Sequence, residues 1–92
     1  IGNIEIGSNC LLEVAGGLNV AGEFHIGNNC VVETMTHEYS RLDLPQKSEG
    51  IDIGENVFVG DNTIILPGVK LVDNDLIPDN SIVTKKRIIS RS

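Results

Sequence analysis

Ile53-Gly54-Glu55-Asn56-Val57-Phe58-Val59-Gly60 restates, more loosely, two earlier stretches: Ile6-Gly7-Ser8-Asn9-Cys10-Leu11-Leu12-Glu13 and Ile26-Gly27-Asn28-Asn29-Cys30-Val31-Val32-Glu33. Outward from this block an aliphatic residue recurs at every sixth position, through Ile53, Val59, Ile65, Leu71, Ile77 and Val83. The same step runs earlier through Val14, Val20, Ile26 and Val32. The residue after each aliphatic is often Gly or acidic (Gly27, Gly54, Gly60, Glu13, Glu33). The fourth after it is small or apolar (Cys10, Leu18, Phe24, Cys30, Val57, Thr63, Val69, Ser81).

A step of six matches neither the 3.6 of a helix nor the 2 of a long strand. It matches a solenoid in which each hexad gives one short strand and a turn, and three hexads close one coil of about 18 residues. Both marked positions then point inward and stack as ladders, rising by roughly 4.8 Å per coil. Ile53 to Leu71 spans 18 residues, one regular coil. Ile6 to Ile26 spans 20, with two extra residues near Glu13. Ile26 to Ile53 spans 27, which predicts a nine-residue excursion within about residues 37–50. The whole chain, 1–92, is thus expected to be one all-β solenoid domain of about four coils. It carries one extruded loop and a basic C-terminal tail at 85–92.

Composition agrees with this reading. Of 92 residues 40% are hydrophobic but only 3% aromatic, with no Trp, so the core is built from stacked aliphatics. Ten Gly supply tight turns. Apolar runs are too short for a membrane span or a signal peptide, so no membrane insertion is expected. There is no initiator Met and Ile1 already falls inside the pattern, so the chain reads as trimmed. Net charge is −6. Residues 1–84 hold all 13 carboxylates against three cations, while Lys85, Lys86, Arg87 and Arg91 crowd the end. An acidic body repels nucleic acid, and no nucleic-acid partner is expected. Cys10 and Cys30 stack one coil apart, within disulfide reach at about 5 Å between Cα atoms. Burial as small thiols in a reducing cytoplasm is the reading adopted.

The pattern resembles the left-handed parallel β-helix of the hexapeptide-repeat acyltransferases. The segments that carry the likeness are Ile53 to Gly60, Ile65-Leu66-Pro67-Gly68-Val69 and Ser81-Ile82-Val83-Thr84-Lys85. The loop Thr34-Met35-Thr36-His37-Glu38-Tyr39 looks closest to that of sugar and polysaccharide O-acetyltransferases of the maltose and galactoside type. The resemblance implies an acetyl-CoA-dependent acyltransferase working as a cytoplasmic homotrimer on a small-molecule or glycan acceptor. It makes His37 the general base, its imidazole taking a proton from the acceptor hydroxyl at neutral pH. Glu38 and Tyr39 become acceptor contacts; Gly60, Asp61, Asp79, Thr84 and Lys85 become cofactor contacts, with Lys85 toward the phosphates. Three departures stand out: Phe58 replaces the family's Trp, Pro78-Asp79 its Gly-Ala pair, and Lys86-Arg87 its acidic residue and Pro. Alternatives are a non-catalytic trimeric β-helical module and an amino-sugar N-acetyltransferase. A γ-type carbonic anhydrase needs three His on zinc, and this chain has only His25 and His37. His25 falls on another face from His37 and reads as a surface or subunit-contact residue.

Overall fold

In the computed structural model, residues 3–37, 46–85 and 88–90 are described. They form fourteen strands of two or three residues. The first face of a three-sided column stacks β1 (Ile4–Ile6), β4 (Phe24–Ile26), β9 (Val57–Val59) and β12 (Leu76–Ile77). The second stacks β2 (Leu11–Glu13), β5 (Val31–Glu33), β10 (Ile64–Ile65) and β13 (Ser81–Val83), and the third β3 (Leu18–Val20), β8 (Ile51–Ile53) and β11 (Lys70–Leu71). All these pairs are parallel. Two elements break the rule. Strands β6 (Met35–His37) and β7 (Gln46–Ser48) form an antiparallel arm, and β14 (Ile88–Ser90) turns back antiparallel along β13. Among the described residues no helix is long and apolar enough to cross a membrane.

The ladders fill the interior. Phe24, Ile26, Cys30, Val32, Ile51, Ile53, Val57, Val59, Ile65, Val69, Leu71, Ile77 and Val83 are buried, and Thr34, Thr63 and Ser81 are buried with them. Three-residue strands need sharp corners, and Asn provides them. Among the described residues the non-Gly positions with positive φ are Asn9, Asn29, Asn56, Asn62, Asn74 and Asn80, at 57° to 66°. Asn adopts this left-handed conformation at lower cost than most side chains.

Side chains also cap the corner between the first and second faces, rung to rung. Asn28 Oδ1 accepts from Ser8 N–H, Asp61 Oδ1 from Asn28 N–H and Asp79 Oδ1 from Asp61 N–H, at 2.7 to 2.8 Å. Those caps fill the space a Cβ at Gly27 or Gly60 would need, which is why both positions are Gly. The N–H groups of Gly7, Gly27 and Gly60 donate to Ile26, Val59 and Ile77 on the next rung. Pro78 holds the corresponding place on the last rung, where it has no N–H to offer.

Two details correct the spacing analysis. Ile53 stacks on Val20, not on Ile26; Ile26 stacks on Val59, 33 residues away. Relative to an 18-residue coil the excursion therefore adds 15 residues, not nine. Ile26 and Ile53 lie on different faces, which hexad counting does not distinguish. Val14 is not in the ladder either. Leu12 pairs with Val32, and Val14 is 40% exposed, because the two extra residues displace it at the corner.

Candidate active site at the root of the arm

The arm leaves the column between the second and third faces. Its strands pair Met35 with Ser48, Thr36 with Lys47 and His37 with Gln46. Glu38 and Tyr39 lie outside the described residues.

Thr34 and Glu49 are its two legs, and Glu49 N–H donates to Thr34 C=O at 2.8 Å. Thr34 is fully buried. Its hydroxyl lies 3.0 Å from Glu13 Oε1 and 3.1 Å from Glu13 C=O as donor, and accepts from Gly16 N–H at 2.8 Å. Glu13 Oε2 accepts from Ala15 N–H at 3.1 Å and Oε1 from Thr34 N–H at 3.2 Å. The two extra residues of the first coil are thus part of a socket for the arm. Desolvation raises the Glu13 pKa, but hydrogen bonds from Ala15, Thr34 and Met35 more than offset it and hold the carboxyl below its ordinary value. On the other side Gly68 N–H donates to Glu49 C=O at 3.2 Å, and Lys85 Nζ pairs with Glu49 Oε2.

The residues expected to hold a cofactor fall at two corners. Thr84 and Lys85 sit beside the arm, and Lys85 is already engaged by Glu49. Gly60, Asp61 and Asp79 sit at the corner between the first and second faces, where Asp61 and Asp79 cap backbone N–H groups. The second face lies between these corners. Its outward stripe is Leu11, Val31, Ile64 and Ile82, in register, with Leu11 61% exposed.

His25 stands on the first face. Its ring stacks on Phe58 at 4.5 Å with 4° between planes, and Nδ1 lies 2.7 Å from Glu5 Oε1. Among the described residues no three His, Cys, Asp or Glu converge as a metal set.

Both cysteines are free thiols with a hydrogen-bonding role. Cys10 Sγ donates to Gly27 C=O and Cys30 Sγ to Gly60 C=O, each at 3.2 Å. Further up the same inward column, Thr63 and Ser81 hydroxyls donate to Pro78 C=O at 3.4 and 2.7 Å. Each is a small inward donor to a corner carbonyl. Burial pushes the Cys30 thiol up, and Cys10 and Asp61 add to the shift against a hydrogen bond from Thr63.

Sequence reasoning missed Glu13, Thr34 and Glu49. The 20-residue spacing from Ile6 to Ile26 was their one signal, since the insertion and the arm share a corner.

No protein-family model matches the chain. It is similar to a galactoside O-acetyltransferase of Lactococcus lactis subsp. lactis (strain IL1403), 36% identical over 69 residues, covering 72% of this chain and 33% of that protein. A crystal structure of a maltose O-acetyltransferase from Clostridium difficile 630 superposes with a TM-score of 0.66 at 22% identity, over 92% of this chain and 58% of that one. A mutant of AntD, an N-acyltransferase from Bacillus cereus solved with dTDP and coenzyme A, gives 0.59 at 16%, over 87% and 54%. The chain therefore spans a third of the curated relative it matches and under three fifths of these solved proteins. The two structural likenesses speak for the fold: the column is the left-handed parallel β-helix that the resemblance implied. In its hexad repeat, that fold and the 69 aligned residues, the chain is similar to the hexapeptide-repeat sugar acetyltransferases.

Proposed function

We propose that the protein transfers an acetyl group from acetyl-CoA to a hydroxyl of a sugar or glycan precursor, with His37 as general base. The observation that carries this reading is the arm itself. The backbone of the strand bearing His37 is paired along its length and bonded to the column through both legs, which supports a catalytic use of the arm. Similarity to a galactoside O-acetyltransferase supports the acceptor class. In the proposed step, His37 takes the acceptor's proton as its oxygen attacks the thioester carbonyl carbon, and coenzyme A departs as the thiol without an acyl-enzyme. A backbone N–H stabilises the developing oxyanion.

The donor is proposed to contact Gly60, Asp61, Asp79, Thr84 and Lys85, and the acceptor Glu38 and Tyr39. One chain puts the donor residues at separate corners on either side of the aliphatic second face. This supports a homotrimer, in which a corner of one subunit meets the other corner of its neighbour. The free thiols Cys10 and Cys30 support work in a reducing cytoplasm. A second reading, a non-catalytic β-helical module, draws on the Lys85–Glu49 pair, which occupies the cation meant for the donor.

Release of free thiol from acetyl-CoA across a panel of sugars and amino-sugars tests the proposal. The expected result is acceptor-dependent release that His37→Ala abolishes without loss of acetyl-CoA binding or oligomer mass. Release by the variant at the wild-type rate removes His37 from the mechanism. No release with any acceptor favours the structural module.

A further inference from the structure

We propose that Glu13, a residue of the first coil, is a positioning residue for the arm: its carboxylate fixes the root of strand Met35–His37 and so the placement of His37. This rests on the reading of His37 as the base. The carboxylate reaches 21 residues ahead in sequence and takes hydrogen bonds from the hydroxyl of Thr34, the residue just before the strand, and from its N–H, which it shares with the Glu13 C=O. Its other oxygen is tied to Ala15, inside the two-residue insertion. Gly16, the other inserted residue, donates to the Thr34 hydroxyl.

Neither inserted residue belongs to a strand, and both meet the arm's root or the carboxylate that holds it. The column alone does not need this arrangement: in the third coil the chain crosses the same corner by Pro67 and Gly68. Glu13 therefore serves the arm rather than the ladders. With Thr34 held by the Glu13 carboxylate, Glu49 held by Gly68 and Lys85, and the two legs bonded to each other, the root cannot swing without breaking several bonds at once.

Glu13→Gln keeps the size but removes the charge and one acceptor, and Glu13→Asp keeps the charge but withdraws it by one methylene. Backbone amide exchange and acetyl-transfer kinetics are measured for both in the whole protein. In Glu13→Gln, exchange at Thr34 is expected to rise by about tenfold, because its N–H loses the charged acceptor and keeps only the Glu13 C=O, and exchange at Met35 rises with it as the root of the strand loosens. Exchange at Val57 and Val59 stays at the wild-type rate. The value of kcat falls with the loosening of the arm while KM for acetyl-CoA is unchanged, and Glu13→Asp recovers part of both.

Unchanged exchange at Thr34 and Met35 overturns the proposal. So does a rise spread over the whole column, which gives Glu13 a role in folding alone, or a loosened arm with wild-type kcat. A wild-type protein that transfers no acetyl group, or a His37→Ala variant as active as wild type, overturns the reading of the base instead. The exchange rates then still decide whether Glu13 holds the arm.

Discussion

Gly60→Ala tests the corner architecture at a single atom. A Cβ on Gly60 lands on Asp79 Oδ1, 2.7 Å from Asp79 N and 3.0 Å from Asp79 Cα. Ordinary contact begins near 3.4 Å, so the backbone nitrogen alone must retreat by about 0.7 Å. Turning the Asp79 side chain away clears its oxygen but gives up the 2.7 Å bond to Asp61 N–H, worth about 1 kcal/mol at an exposed corner. The remaining overlap with the rung above is worth about 1–3 kcal/mol of packing strain. The two together predict a loss of about 2–4 kcal/mol, read as a lower urea midpoint at unchanged slope and fixed protein concentration. In an Asp79→Ala background the side-chain part is already gone, so the same substitution should cost about 1 kcal/mol less. A Gly60→Ala protein within about 0.5 kcal/mol of wild type would refute the inference that the caps dictate Gly at this corner.

Lys85→Met should change stability by less than about 1 kcal/mol, because both partners of the Lys85–Glu49 pair are substantially exposed. On the proposed donor site the same variant raises KM for acetyl-CoA, and an unchanged KM would remove Lys85 from it. Cys30, buried and with a raised thiol pKa, should resist iodoacetamide in the native protein and react fully once urea unfolds it. Mass mapping that finds Cys30 alkylated in the native state as fast as in urea contradicts its place in the core. The Glu13 pKa lies lower in the folded protein than in the unfolded chain. Its contribution to stability is therefore fully present above about pH 4.3 and is lost as pH falls through the lower folded value. Acid titration should show the stability gap between wild type and Glu13→Gln closing over that range; a gap constant with pH refutes the linkage.

The fold was legible because inward positions of a solenoid repeat at fixed spacing and the long run from Ile53 to Val83 keeps that spacing unbroken. Ile53, Val59, Ile65, Leu71, Ile77 and Val83 are all buried where the hexads put them. The insertion near Glu13 was legible too, as a spacing of 20. What it does was not, since a socket is defined by partners from the next coil, and Thr34 reads as an ordinary loop residue until the arm is seen to leave there. The size of the excursion was misjudged because a step of six is the same on all three faces. The cysteines were seen as small buried groups, and their use as hydrogen-bond donors appeared only beside Thr63 and Ser81 on the higher rungs. Gly60 and Lys85 read as one donor site in sequence, yet they stand at separate corners of a single chain.

Pro78 has a consequence for how such a column lengthens. On the first face every rung hands its N–H upward until the proline, and on the second face β14 lies across the last rung in the opposite direction. An additional coil spliced after Val83 would find neither a donor at that corner nor a free parallel edge beside it.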